Sequence, residues 1–378
     1  MHYLDNAATT PVCKEAADAA LAALSKYYAN PSSLYSSGVQ SEAALTSARC
    51  VLASELRCKC NEIYFTASGS EGNNIAILGA AKTRKAWGRH IVVTGYEHPS
   101  VSLTVEALCN DGFDVTKIMP NEQGNINIDE IVNAVTKETI LVTAMHVNNE
   151  TGAYIDVKKL ALAVKNKNSR TAVHIDGVQA FCKQIICLEG SAIDSYAVSG
   201  HKIHAPKGVG AVYLRQGYHI LPVLYGGGQE RGMRPGTENI AFAVSFAEAV
   251  NAAKAHYKKD RENIKLLSDT LWQGLAEIDE ITRNSPTDAV WDIANISVGD
   301  VKSETMLHYL ENRDIMVSSG SACSKGEESH TLKAMGLSKH RIDTAMRISF
   351  AADNTIEDVK ALLNAVQDGL IVLAKMRV

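Results

Sequence analysis

The chain has 378 residues, 46% of them hydrophobic and 21% charged, which is the composition of an ordinary globular protein and excludes disorder, collagen-like repeats and a small disulfide scaffold. At roughly 150 residues per domain the length suggests two or three lobes, each able to bury a substantial core. A formal charge of −4 offers no broad electropositive surface, and no run of about 18 apolar residues occurs, so neither a nucleic acid nor a membrane is an expected partner.

The opening residues, Met1-His2-Tyr3-Leu4-Asp5-Asn6, carry neither a basic stretch nor a long apolar one, which leads to the expectation of a cytoplasmic protein. The eight cysteines, at 13, 50, 58, 60, 109, 182, 187 and 323, are sparse, and reduced thiols are the default in that compartment. Cys58 and Cys60 form a C-x-C without a second Cys/His pair at zinc-site spacing, so no metal is expected there.

Taken in chain order, short β-rich runs at 62–66, 90–94, 139–145, 171–175, 195–198 and 209–214 alternate with helical patterns such as 157–164. That alternation predicts an α/β domain with a mostly parallel sheet, whose catalytic residues sit where strands end. After Gly226-Gly227-Gly228 an Ala- and Leu-rich stretch at 241–278 predicts a long connecting helix. Beyond it, strands at 293–298, 315–318 and 346–350 and helices at 303–311 and 356–375 predict a smaller α+β domain. The expected division is a large domain over 15–255 and a small one formed by 1–14 and 256–378.

Three segments could carry chemistry. Residues 63–74 run from a strand through Ala67-Ser68-Gly69-Ser70 into a helix, where backbone N–H groups and the Ser70 hydroxyl could cradle an anion; alone, the segment reads equally well as a capped strand-to-helix turn. Lys202, in Ser199-Gly200-His201-Lys202 directly after a strand, could be a desolvated amine nucleophile, although most lysines are solvated surface charges. Asp176, ending an apolar strand, could hold a cationic ring nitrogen, or be a turn aspartate. A phosphate cradle, a strand-end Asp and, 26 positions later, a strand-end Lys are together the parts that a pyridoxal phosphate site requires.

With these residues in view the sequence resembles the NifS/IscS-type cysteine desulfurases of the class V aminotransferase group, from Tyr3-Leu4-Asp5-Asn6-Ala7-Ala8-Thr9-Thr10 to Arg347-Ile348-Ser349. The matches include Asn30-Pro31-Ser32-Ser33, Glu97-His98, His146-Val147-Asn148-Asn149-Glu150-Thr151-Gly152, Gly226-Gly227-Gly228-Gln229-Glu230-Arg231-Gly232-Met233-Arg234-Pro235-Gly236-Thr237 and Ser318-Ser319-Gly320-Ser321-Ala322-Cys323. The resemblance implies fold type I of the pyridoxal 5'-phosphate enzymes. It implies a Schiff base on Lys202, Asp176 against the pyridine nitrogen and His98 stacked over the ring. Gln179 and Asn149 are expected on the phenolic oxygen, and Gly69, Ser70, Ser199 and His201 on the phosphate. Thr237 is expected to reach the phosphate of a neighbouring subunit, hence a homodimer, while Arg347, assisted by Asn30, binds the substrate carboxylate with guanidinium's two-pronged geometry.

The Cys323 thiolate, favoured by the nearby Lys325, is then the nucleophile that takes sulfur from L-cysteine as a persulfide, leaving alanine and passing the sulfur to an acceptor protein. Two departures from the family stand out: Tyr35 where a His is common, and a stretch from Cys323 to Ser329 that is two or three residues short. The competing expectations are a selenocysteine lyase or an aminotransferase on the same fold, and a non-catalytic sulfur-assembly adaptor. An aminotransferase has no use for the thiol, and an adaptor has no use for Lys202, Asp176, His98, Arg347 and Cys323 together.

Overall fold

The computed structural model describes residues 1–319 and 328–373. The chain opens with β1 (His2–Tyr3), which joins the second lobe, and the first lobe then contains α1 (Lys14–Lys26), α2 (Ser36–Leu56), β2 (Ile63–Thr66), α3 (Gly69–Arg84), β3 (His90–Thr94), α4 (Pro99–Asn110), β4 (Asp114–Ile118), α5 (Ile128–Ala134), β5 (Thr139–Met145), α6 (Val157–Lys167), β6 (Ala172–Asp176), β7 (Ser195–Ser199) and β8 (Gly210–Leu214). The long α7 (Ile240–Leu275) leads to β9 (Ile281–Arg283), β10 (Ile293–Val298), α8 (Ser303–Glu311), β11 (Ile315–Met316), β12 (Ser318–Ser319), α9 (His330–Ala334), α10 (Lys339–Asp343), β13 (Ala345–Ser349) and α11 (Ile356–Val372).

Seven strands form one sheet in the order β2-β8-β7-β6-β5-β3-β4, with β8 antiparallel to both neighbours and every other pair parallel. β5, β6, β7 and β8 are buried at every residue, as strands covered by helices on both faces must be. Their largely apolar, β-branched composition is what made them legible in the sequence. β4 escaped that reading because it is an edge strand whose Asp114 and Lys117 stay exposed, so it lacks an apolar run.

The second lobe has a four-stranded antiparallel sheet, β12-β13-β10-β9, beneath α7, α8 and α11. The stretch expected as one strand at 315–318 is two short ones: β11 pairs in parallel with β1, and β12 pairs with β13. Buried side chains of α7 belong to the first core up to Val250 and to the second from Ile264, so this helix joins the two cores. The N-terminal segment crosses between them. Leu4 lies in the second core, Asp5 bridges to Ser349, and residues 7–10 then run along the ends of the first lobe's strands.

Cys50 on α2 and Cys60, in the turn before β2, form a disulfide with 4.6 Å between their Cα atoms, contrary to the expectation of reduced thiols throughout. The packing of α2 over that turn creates the pair, and no sequence spacing announces it. No helix among the described residues is long and apolar enough to cross a membrane.

Candidate active site

The site is assembled where β2, β3, β5, β6 and β7 end. β2 stops at Thr66, whose hydroxyl donates to the Ser68 carbonyl at 2.8 Å, and Ser68 then caps α3 by accepting the Glu71 N–H at 3.2 Å. The cap residue is therefore Ser68, which leaves Gly69 and Ser70 as the first helical residues, with uncommitted N–H groups at the positive end of the helix dipole. A Cβ on Gly69 would come within 2.5 Å of Val178 Cγ2 and 3.3 Å of Ser199 Cβ, so only glycine keeps the space between this helix end and β7 open. The Ser199 hydroxyl faces the same region and is buried with no hydrogen-bond partner among the described residues. These features together make an anion cradle.

β3 leads through Tyr96-Glu97 to His98, which caps α4. His98 Nδ1 accepts the Ser100 N–H at 3.1 Å and lies 2.8 Å from the Ser100 hydroxyl, and burial lowers the ring's basicity. Glu97 is buried behind it. Its Oε1 accepts the Met145 N–H at 2.6 Å and the Thr94 hydroxyl, while burial, and secondarily the charge of Asp176, push its carboxyl up to about 8. Asp176 closes β6 and accepts the Val178 N–H at 3.0 Å on one oxygen and the Asn73 amide at 2.8 Å on the other.

Beyond Ser199 the chain makes a single 3-10 turn, Gly200–Lys202. Lys202 Nζ donates to the carbonyls of Ala7 and Ala8, each at 2.6 Å, so the N-terminal segment holds the amine at the cavity. His201 Nδ1 lies 3.1 Å from the Thr9 hydroxyl, and its basicity falls to about 4 through burial and then the charges of Lys202 and Lys207. Gln179 donates to the Ala7 carbonyl at 2.9 Å, leaving its Oε1 buried without a partner among the described residues.

From the second lobe comes Arg347, 4% exposed on β13. One guanidinium nitrogen donates to the Asn149 carbonyl at 2.9 Å and another to Asp5 Oδ1 at 2.8 Å, while Nε is buried without a partner among the described residues. A single cavity of about 250 Å³ is lined by Gly69, Ser70, His98, Asn149, Asp176, Gln179, Ser199, His201, Lys202 and Arg347. Residues from both lobes and some 280 positions of chain thus meet at one point.

Two expected site residues stand apart from this cavity. Asn30 is exposed, and its side chain accepts the Ser32 N–H at 2.9 Å. Thr237 is exposed at the end of the loop after Gly228. Cys323 and Lys325 lie outside the described residues. The sequence reading missed Asp5, Thr9 and the Ala7 and Ala8 carbonyls, which grip Arg347, His201 and Lys202. Their signal was present in the matched N-terminal stretch, but main-chain carbonyls carry no side-chain signature. It also missed Asn73 and Ser100, which lie between Asp176 and His98.

The family model for class-V aminotransferases matches residues 2–362. A cysteine desulfurase IscS of Methanosarcina thermophila is 37% identical over 369 residues, covering 97% of this chain and 91% of that protein. Cysteine desulfurase 2 of Trichormus variabilis is 39% identical over 365 residues, covering 96% and 91%. Among solved structures, a NifS-like protein superposes with a TM-score of 0.93 at 31% identity, covering 98% of this chain and 99% of its own. SspA in complex with cysteine superposes with a TM-score of 0.82 at 30% identity, covering 94% and 100%. The chain belongs to the class-V aminotransferases, a pyridoxal phosphate-dependent family, and within it to the cysteine desulfurases of the NifS/IscS type.

Proposed function

We propose that this protein is a cytoplasmic, homodimeric cysteine desulfurase that binds pyridoxal 5'-phosphate, converts L-cysteine to L-alanine and hands the sulfur from Cys323 to an acceptor protein. The observation that carries the reading is the convergence of Lys202, Asp176, His98, the α3 cradle and Arg347 on one cavity. The residues fit the cofactor: the Ser199 hydroxyl lacks a partner among the described residues, Gly69 leaves the cradle open, and Asp176 can hold a protonated ring nitrogen. When bound, pyridoxal phosphate supplies an electron sink for negative charge on the amino acid's carbon atoms.

The chain's residues divide the remaining work. Lys202 anchors the cofactor covalently and moves the proton at the substrate's α-carbon. The α3 N-terminus with Ser70, Ser199 and His201 holds the phosphate. Arg347 has five N–H groups, two of them committed to Asn149 and Asp5, which leaves three to receive a carboxylate. The thiolate of Cys323 attacks the substrate sulfur: an S–S bond forms, the C–S bond breaks, and its electron pair stays on carbon and is protonated to give alanine.

Support for the homodimer comes from exposed apolar side chains at Tyr28, Leu34, Tyr35 and Val39, and at Tyr225 beside the Thr237 loop. Pro31 and Ser32 share a groove with Gly228 to Arg231 and Glu238, so the two patches adjoin. Thr237 is thereby free to meet a second copy. The five unpaired cysteines, Cys13, Cys58, Cys109, Cys182 and Cys187, against one pair among the described residues, fit a reducing compartment. The test is incubation with L-cysteine and a thiol reductant. Sulfide and alanine released in equal amounts support the reading, and a keto acid without sulfide would replace it with transamination.

A further inference from the structure

Asn73 is buried in the first turns of α3 and touches three other segments. Its Nδ2 lies 2.8 Å from Asp176 Oδ2 and 2.9 Å from Ser100 Oγ, and its Oδ1 lies 3.0 Å from His174 Nε2. On the far side, His174 Nδ1 is 2.9 Å from the Ser195 hydroxyl. His174 and Asp176 are two residues apart on β6, so their side chains leave the strand on the same face, toward α3.

The Asp176 carboxylate sets the direction of the bonds in this chain. A carboxylate accepts and cannot donate, so the Asn73 amide nitrogen must face Asp176, and its oxygen must face His174. His174 Nε2 then carries a hydrogen. The ring is completely buried, which depresses its basicity to about 3, so it holds a single proton and its Nδ1 accepts from the Ser195 hydroxyl. At the other end, Ser100 Oγ receives the second Asn73 N–H, and its own hydrogen goes to His98 Nδ1. His98 Nδ1 also accepts the Ser100 N–H at 3.1 Å, so the ring is held with its proton on Nε2 by the α4 cap and its Nδ1 is further engaged by the hydroxyl.

We infer that Asn73, its amide oriented by His174, is a positioning residue that presents an N–H to Asp176 and keeps the Ser100 hydroxyl aimed at His98 Nδ1. The inference rests on the proposed roles of Asp176 and His98 toward the cofactor. Nothing in the resemblance assigned a part to Asn73, Ser100 or His174. Asn73 thus unites three elements of the site: the phosphate helix, the strand bearing Asp176 and the turn bearing His98.

The experiment compares wild type with Asn73→Ala, His174→Leu and His174→Gln, where Gln retains an amide N–H in place of His174 Nε2. Alanine is the best helix former, so Asn73→Ala keeps α3 intact. For Asn73→Ala and His174→Leu the expected result is bound cofactor with a displaced visible absorption band, cysteine KM within about twofold of wild type, and kcat down about 10- to 100-fold, the loss seen when outer hydrogen-bonding partners are removed at other sites. His174→Gln should retain the wild-type band and turnover.

A second readout uses the apoprotein labelled with [15N]histidine. Ring nitrogen shifts should place the His98 proton on Nε2 in both proteins, since the Ser100 N–H holds it there, and should show the Nδ1 resonance moved in Asn73→Ala as the Ser100 hydroxyl turns away. An unchanged band, turnover and His98 Nδ1 shift in Asn73→Ala would overturn the inference, as would equal damage from His174→Gln and His174→Leu, which would mark a packing role. Should Asn73→Ala not fold, the His174 pair decides. Wild type that binds no cofactor or releases no sulfide would instead sink the proposed function, and the apoprotein His98 Nδ1 shift would still decide this inference.

Discussion

Replacing Arg347 by Lys tests the substrate-binding half of the site. The guanidinium is locked by the Asn149 carbonyl at 2.9 Å and by Asp5 at 2.8 Å, so the edge bearing its remaining N–H groups is fixed before substrate arrives. A lysine keeps the charge but loses the planar fork, and with it one of two parallel hydrogen bonds to the carboxylate. A hydrogen bond to a charged group contributes about 1.5 to 3 kcal/mol net, which converts to roughly a 10- to 150-fold loss of affinity. The assay is steady-state desulfuration across cysteine concentrations, with the visible spectrum recorded alongside. KM should rise by that factor while the cofactor spectrum is unchanged, because Arg347 meets Asn149 only at its main-chain carbonyl and leaves the side chain expected at the cofactor in place. A KM within about twofold of wild type would mean that the bidentate grip is absent and that the carboxylate is bound elsewhere.

Borohydride reduction of the holoenzyme should fix the cofactor to Lys202, which peptide mapping by mass spectrometry will locate; attachment at Lys207 would refute the assignment. Glu97→Gln should raise the melting temperature more at pH 8 than at pH 5. The buried carboxyl titrates near 8 in the folded state against about 4.5 unfolded, so native stability is lost as pH rises through that window, and the amide removes the loss. An equal shift at both pH values would show that Glu97 ionises freely. Mixing two inactive variants, Lys202→Ala and Thr237→Trp, should restore partial activity if sites are shared between subunits, and a fully active monomer in sedimentation would end that idea.

The buried half of the fold was legible because strands covered on both faces are largely apolar, as 140–145 and 196–198 are. The edge strand Asp114–Ile118 was illegible for the converse reason, since its polar residues face solvent. Lys202, Asp176 and the Gly69-Ser70 turn were visible as strand-end and helix-start residues in the right order. What holds them was not. Carbonyls of Ala7 and Ala8 grip the lysine from 194 or 195 positions away, and no residue type advertises a backbone acceptor. Asn73 was invisible as a hub because an amide's value depends on what meets both of its ends, which only the packing of α3 against β6 decides.

The central claim is that sulfur leaves cysteine for Cys323, and a single turnover without reductant tests it most directly. Wild-type holoenzyme and Cys323→Ser are each mixed with excess L-cysteine, alanine is counted per active site, and the protein is examined by mass spectrometry. The wild type should form one alanine per site and carry one added sulfur on Cys323, with none on Cys58, Cys182 or Cys187. Cys323→Ser should keep its cofactor and form no alanine, since a hydroxyl is a far weaker nucleophile toward sulfur than a thiolate. A stoichiometric burst of alanine from Cys323→Ser would contradict the account and make the protein a lyase that needs no cysteine nucleophile.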